Sequence, residues 1–110
     1  MARQHQSKVA SAQIKSAILL AGLNARGTTV IIEPHASRDH SESMLRYFGA
    51  DVQQNIADDG RHIIRLQGEA ELHGRQIVVP RDPSSAAFGI VAALITPQSD
   101  VIIPGVGMNP

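Results

Sequence analysis

Cysteine is absent from the 110 residues, which excludes disulfides, thiolate nucleophiles and metal sites built on sulfur. Tryptophan is also absent, and the aromatics are only Tyr47, Phe48 and Phe88. A core must therefore be built from Ile, Val, Leu and Ala. No charge of one sign prevails, because ten basic residues balance ten acidic ones. No one-signed field exists to hold nucleic acid or an anionic membrane surface, and neither is expected as a partner. Long apolar runs are missing as well. The longest, residues 86–95, falls far short of the roughly 20 residues needed to span a bilayer. Residues 1–8 lack the apolar segment of a secretory signal, so a cytoplasmic location is the default. What is present, 43% hydrophobic and 18% charged residues, suits one soluble domain or a part of one.

Residues 1–8, MARQHQSK, are polar and aperiodic and read as a loose lead-in. Ser11 is a good N-cap, and Ile14, Ala17, Ile18, Ala21 and Leu23 form a helical stripe that stops at Asn24–Gly27. TTVIIE (28–33) is β-branched and nearly all apolar, as a strand covered on both faces would be, and Pro34 ends it. Asp39 and Glu42 have capping-box spacing before a helix whose apolar face is Met44, Leu45 and Phe48, closed by Gly49. DVQQNI (51–56) and HIIRLQ (62–67) read as strands joined by the turn ADDG, and RQIVVP (75–80) as another. Asp82 and Pro83 supply an N-cap and a proline at N1 for the helix SSAAFGIVAALIT. DVIIP (100–104) reads as a strand, and GVGMNP as loop.

This order carries an echo. A shift of 71 positions lays Ser11 on Asp82, Ala21 on Ala92, Leu23 on Leu94 and Val30–Ile32 on Val101–Ile103. A capped, Ala-rich helix followed by a V-I-I strand thus occurs twice, as in an internal structural repeat.

Helix N-termini gather free backbone N–H groups at the positive end of the helix dipole and so attract anions. Three segments qualify. SAQ (11–13) offers a hydroxyl, a small side chain and an amide; SRDH (37–40) adds a guanidinium suited to phosphate or carboxylate; DPSS (82–85) offers hydroxyls, but its Asp repels anions. Taken singly, each is more often a structural cap than a ligand site. The five histidines show no i, i+4 pair, so solvated or hydrogen-bonded histidines outweigh a metal site. Asp58–Asp59–Gly60 is a hairpin turn, since no acidic residue completes a calcium loop. No metal site, P-loop or dinucleotide fingerprint is read here.

Three stretches together make a specific pattern: ASAQIKSAILLAGLNARGTTVIIEP (10–34), SRDHSESMLRYFGADV (37–52) and VPRDPSSAAFGIVAALITPQSDVIIPGVGMNP (79–110). They resemble 5-enolpyruvylshikimate-3-phosphate (EPSP) synthase, in the branch that carries Ser-Ala-Gln rather than Ser-Ser-Gln. The similarity runs from about Val9 to Pro110 but covers only a minor, central part of a full-length member. The resemblance implies an α/β, more narrowly α+β, fold of repeated β-α-β-α-β-β units, with helices packed on mixed sheets. Residues 9–80 would close one unit of the N-terminal domain, and 81–110 would begin the next across a hinge. It implies transfer of enolpyruvyl from phosphoenolpyruvate to shikimate-3-phosphate in the shikimate pathway, with no cofactor. Ser11 and the backbone around Ala12 would hold the phosphate of shikimate-3-phosphate, Gln13 would touch both substrates, and Arg38 would pair with the phosphate.

The same resemblance exposes gaps. The family's proton-transfer carboxylates and lysine, and its N-terminal cations, come from outside this segment, so no catalytic residue is expected within it. A positioned acid, a base and several cations are needed around two anionic substrates. The ends suggest an excised domain or a truncated product. Arg81 stands where the family usually has Gly, which raises the prospect of strain at positive φ. Two further readings remain: a non-catalytic module whose apolar strand faces favour self-association or complementation by the missing parts, and the related UDP-N-acetylglucosamine enolpyruvyl transferase, disfavoured by SRDH.

Overall fold

The computed structural model describes residues 3–107. They run β1 (Gln4–Gln6), α1 (Ala12–Leu23), β2 (Thr28–Glu33), α2 (His40–Tyr47), β3 (Val52–Ile56), β4 (His62–Gln67) and α3 (Pro83–Ile95). Two compact units divide the chain, Met1–Arg75 and Gln76–Pro110. The first contains one complete β-α-β-α-β-β unit. No helix among the described residues is long and apolar enough to cross a membrane.

In the first unit a four-stranded mixed sheet has the order β1-β2-β4-β3. β1 runs parallel to β2, while β4 is antiparallel to both β2 and β3. The register places Ile31 opposite Ile64, Thr29 and Val52 opposite Leu66, and Glu33 opposite His62. The period of two then puts Ile31, Ile64, Leu66 and Val52 on one face. There they join Leu19 of α1 and Leu45 of α2 in the core, with Ala50 alongside.

Local chemistry sets the helix ends. Ser11 holds extended backbone, and its Oγ accepts from the Ile14 amide at 3.4 Å. After α2, Gly49 takes φ 105°. Its N–H bonds to the Arg46 carbonyl, and the Ala50 N–H bonds to that of Leu45. These are the paired bonds of a Schellman stop, with Ala50 and Leu45 both in the core. Beyond β4, the Gly68 and Glu69 amides close onto the carbonyls of Gly27 and Leu23 at the end of α1. A Cβ on Gly68 would lie 1.8 Å from the Ala25 carbonyl oxygen, so glycine is required there.

Four expectations need correction. The lead-in is not loose throughout: residues 4–6 form β1, because β2 offers an edge whose Val30 amide and Ile32 carbonyl bond to Arg3 and Ser7. Met1 and Ala2 lie outside the described residues. The buried side of α1 is Lys15, Leu19 and Gly22, whereas Ile14, Ala17 and Ala21 are exposed and Ile18 and Leu23 only half-buried. With apolar residues on every side of α1, periodicity does not single out one face. Glu42 does not close a capping box, and Asp39 makes no side-chain cap bond. Neither 75–80 nor 100–104 forms a strand.

In the second unit, a single parallel bridge joins Arg81 to Val106. It is fixed by Arg81 N–H to the Gly105 carbonyl at 2.8 Å and Gly107 N–H to the Arg81 carbonyl at 2.9 Å. Arg81 is not among the described non-glycine residues at positive φ, which are Glu69 and Gln98, so the feared strain does not arise. α3 is capped as expected: Asp82 accepts from the Ser84 and Ser85 amides, with Pro83 at its start. The 71-residue echo therefore holds for the capped helices but not for the second V-I-I segment. Of GVGMNP, Gly105 lies in a turn, Val106 forms the bridge, Gly107 is irregular chain, and 108–110 lie outside the described residues.

Candidate functional site

Of the three helix N-termini, one is filled by its own carboxylate. Asp82 takes the Ser84 and Ser85 amides at 3.0 and 3.2 Å and the Ser85 hydroxyl at 3.0 Å. These bonds, chiefly that from the Ser84 amide, hold its pKa below the ordinary aspartate value. The donors an anion would need are already used.

The start of α1 is different. Its first turn carries no acidic residue. The Ser11 hydroxyl engages only the Ile14 amide, which leaves the first-turn N–H groups of Ala12 and Gln13 without helical partners. Ala12, Gln13, Ser16, Ala17 and Leu20 line one side of an open depression of about 420 Å³, and Arg38, His40 and Ser41 line the other. Three of the four expected site residues, Ala12, Gln13 and Arg38, thus share one depression. Ser11 does not line it and sits at its edge in sequence as the cap. Gln13 and Arg38 are exposed, and no hydrogen bond or ion pair engages the Arg38 guanidinium among the described residues. A free guanidinium facing a helix N-terminus can grip a phosphate or carboxylate by paired hydrogen bonds while the dipole adds attraction.

Under this depression lies a cluster that the sequence reading missed. Lys15 is fully buried, as are Glu33 and Glu42 to within 1%. The Lys15 ammonium is 2.7 Å from Glu42 Oε1, 3.4 Å from Glu33 Oε2 and 3.4 Å from the Ser37 carbonyl oxygen, to which it donates. The Ser37 hydroxyl donates to both Glu33 oxygens, at 2.9 and 3.1 Å. His62, opposite Glu33 in the sheet, brings Nδ1 to 3.6 Å from Glu33 Oε2. The ammonium explains the failed capping box: a full charge outcompetes a neutral backbone N–H for the Glu42 carboxylate. It also explains why Lys15 adds nothing directly to the depression. Two residues past Gln13, it is turned roughly 200° around the helix, into the core. Its signal was legible as Lys15, Leu19 and Gly22 at i, i+4 and i+7, with Glu33 ending an otherwise apolar strand.

Above the cluster, Ser16 of α1 and Ser41 of α2 bring their hydroxyl oxygens to 2.5 Å, and Ser16 also donates to the Ala12 carbonyl at 2.6 Å. The two helices are therefore tied by a polar contact at the floor of the depression and by an ionic one beneath it.

Comparison with known proteins gives one consistent answer. The family model described as EPSP synthase (3-phosphoshikimate 1-carboxyvinyltransferase) matches residues 3–110. A 3-phosphoshikimate 1-carboxyvinyltransferase of Granulibacter bethesdensis is 66% identical over 103 residues, which are 93% of this chain and 23% of that protein. The protein of the same name from Acidiphilium cryptum is 61% identical over all 110 residues, 24% of its own length. Among solved structures, an EPSP synthase from Acinetobacter baumannii superposes with a TM-score of 0.77 at 49% identity, covering 99% of this chain and 24% of that one. The chain spans about a quarter of the length of the curated relatives it matches.

Proposed function

The chain belongs to the EPSP synthase family, and on that premise we propose that it supplies part of the shikimate-3-phosphate site of an enolpyruvyl transferase. The reaction moves the enolpyruvyl group of phosphoenolpyruvate onto the 5-hydroxyl of shikimate-3-phosphate and releases phosphate, a step toward aromatic amino acids. In this reading Ser11, Ala12 and Arg38 hold the substrate phosphate, and Gln13 lies where it reaches both substrates. Residues 9–80 end one repeat unit and 81–110 begin the next. The protein acts in the cytoplasm, and its whole enzyme is the kind of target at which glyphosate competes with phosphoenolpyruvate. The supporting observation is the unengaged Arg38 guanidinium across one depression from the N-terminal amides of Ala12 and Gln13. The proton-transfer groups and further cations must come from other segments, so the isolated chain binds without turning over.

Titration of the chain with shikimate-3-phosphate, followed through backbone amide shifts, tests this. Weak binding localised at residues 11–13 and 38, abolished by Arg38→Ala, is the expected outcome. Shifts that are absent, or scattered away from these residues, refute it. A coupled phosphate-release assay is expected to show no turnover, and measurable turnover would overturn the assignment of catalysis to other segments.

A second reading, an association module completed by other segments or by another copy, is favoured by a separate observation. In the second unit Val78, Val79, Phe88, Leu94, Ile95 and Ile102 are each at least 76% exposed. Apolar surface on that scale favours burial against a partner. Sedimentation of the chain over a range of concentrations tests it, and a monomer throughout removes it.

A further inference from the structure

We propose that the buried trio Lys15, Glu33 and Glu42 acts as a positioning strut, setting where Arg38 stands relative to the N-terminus of α1. The proposal rests on the reading of Gln13 and Arg38 as an anion subsite and adds to it the residues that hold that subsite in shape. None of the three touches the ligand.

The geometry joins four pieces of chain at one ammonium. Lys15 comes from α1, Glu33 from the end of β2, Glu42 from the first turn of α2, and the Ser37 carbonyl from the residue just before Arg38. Lys15 has three N–H donors, and three oxygens surround it at 2.7–3.4 Å. Ser37 is held a second time by its hydroxyl on Glu33. Among the described residues, every hydrogen bond holding the segment 34–38 runs through Ser37. Pro34, His35, Ala36 and Arg38 are all exposed, so packing does not hold them. The position of Arg38 is thus set at its neighbour, by bonds whose common centre is buried two residues from Gln13.

Charge is the informative choice here. Apolar side chains of similar volume would stabilise the fold as well or better than a buried ion cluster. Apolar burial is non-directional, however, and could not fix one backbone carbonyl against one helix. An ammonium that donates to that carbonyl while paired with two buried carboxylates does fix it. Positioning and stability can therefore be separated by experiment.

The test uses the whole chain, ¹⁵N-labelled, as wild type and as the triple variant Lys15→Met/Glu33→Gln/Glu42→Leu, which removes every charge together. The triple variant is expected to keep the urea midpoint of the wild type or raise it. Its Ser37 and Arg38 amides should fall from rigid order, with order parameters near ~0.85, toward the flexible range below ~0.6. Its affinity for shikimate-3-phosphate should weaken about ten-fold, which is about 1.4 kcal/mol. Wild-type order at Ser37 and Arg38 in that variant overturns the strut, and so does loss of order with unchanged affinity. If the wild type itself does not bind, the subsite reading fails, and the amide order, which needs no ligand, still decides the strut. If the triple variant does not fold, Ser37→Ala, which removes the hydroxyl bonds to Glu33 and leaves the buried trio intact, takes its place; unchanged order at Arg38 there overturns the proposal.

Discussion

Replacing Lys15 alone by methionine isolates the energetics of the buried cluster. At the effective dielectric constant of about 20 that suits protein sites, the 2.7 Å and 3.4 Å pairs with Glu42 and Glu33 are worth roughly 6 and roughly 5 kcal/mol of gross attraction. Taking three ions from water costs several kcal/mol each, so the net contribution of the intact cluster lies near zero. The single substitution removes the attraction and leaves the cost, because both carboxylates stay buried, and neither Glu42 oxygen has a hydrogen-bond partner. The expected loss is therefore about 3–5 kcal/mol, as for other broken buried pairs. Against a typical total of about 5–15 kcal/mol that is a large fraction. For a unit of this size it lowers the midpoint of thermal unfolding by roughly 12–40 °C. Urea unfolding followed by circular dichroism measures the loss directly, with an unchanged m-value as the sign that the same surface is exposed. Neutralising all three residues should restore stability to within about 1 kcal/mol of the wild type or raise it. A single variant that loses less than about 1 kcal/mol, no more than an exposed pair is worth, would show that the ammonium does not sit between buried carboxylates.

Other outcomes follow from individual contacts. Gly68→Ala should destabilise by roughly 3 kcal/mol, since its Cβ meets backbone oxygen at 1.8 Å and the backbone must move. Gly74→Ala, with nothing within 4 Å and no positive φ, should be neutral or stabilising by about 0.4–1 kcal/mol; equal urea midpoints for the two variants refute the distinction. Ser11→Ala should lose about 1 kcal/mol, whereas Ser11→Gly should lose only a few tenths, because glycine tolerates the N-cap. A fall in shikimate-3-phosphate affinity in the glycine variant assigns the hydroxyl to the ligand, and unchanged affinity limits Ser11 to capping. The depressed pKa of Asp82 means that its cap is complete above about 3.9, the unfolded value, and is lost as pH falls through the lower folded value. Amide exchange at Ser84 and Ser85 should accelerate over that acid range in the wild type and stay flat in Asp82→Asn, which keeps a neutral cap; identical profiles refute this.

The elements that the sequence disclosed were those whose signals are local. Ser11, Gly49 and Asp82 act through bonds within a few residues, and α1, β2, β4 and α3 begin and end within a residue or two of their expected limits. β1 was hidden because QHQ has no apolar pattern; its existence depends on the edge of β2, some 26 residues away. The opposite error arose at 75–80 and 100–104. Val78 and Ile102 have high strand propensity, yet propensity without a paired ladder leaves only the bridge at Arg81. The site divided in the same way. Gln13 and Arg38 stand as candidates from helix-terminus chemistry alone, whereas Lys15 shows only as one member of the Lys15, Leu19 and Gly22 stripe and, as a lone lysine in an apolar helix, is read as pointing to water. Its burial follows from Glu33 and Glu42, which lie 18 and 27 positions downstream.

The division of the chain sharpens what this segment can do by itself. Leu19, Ile31, Leu45, Ala50, Val52, Ile64 and Leu66, the whole core cluster, belong to the first unit. So do Ser11, Ala12, Gln13 and Arg38, and the charged trio beneath them. Among the described residues, the second unit buries one hydrophobic residue, Ala86, below 10% exposure. Cooperative folding needs apolar area removed from water, and the hydrophobic core cluster that removes it lies in the first unit. The shape of the proposed subsite is therefore set by a β-α-β-α-β-β unit that carries its own core. The exposed apolar surface of α3 and of residues 77–79 bears instead on the proposed association. A partner that covers that surface would change the stability of the second unit without supplying or removing any of the contacts that hold Arg38 near Gln13.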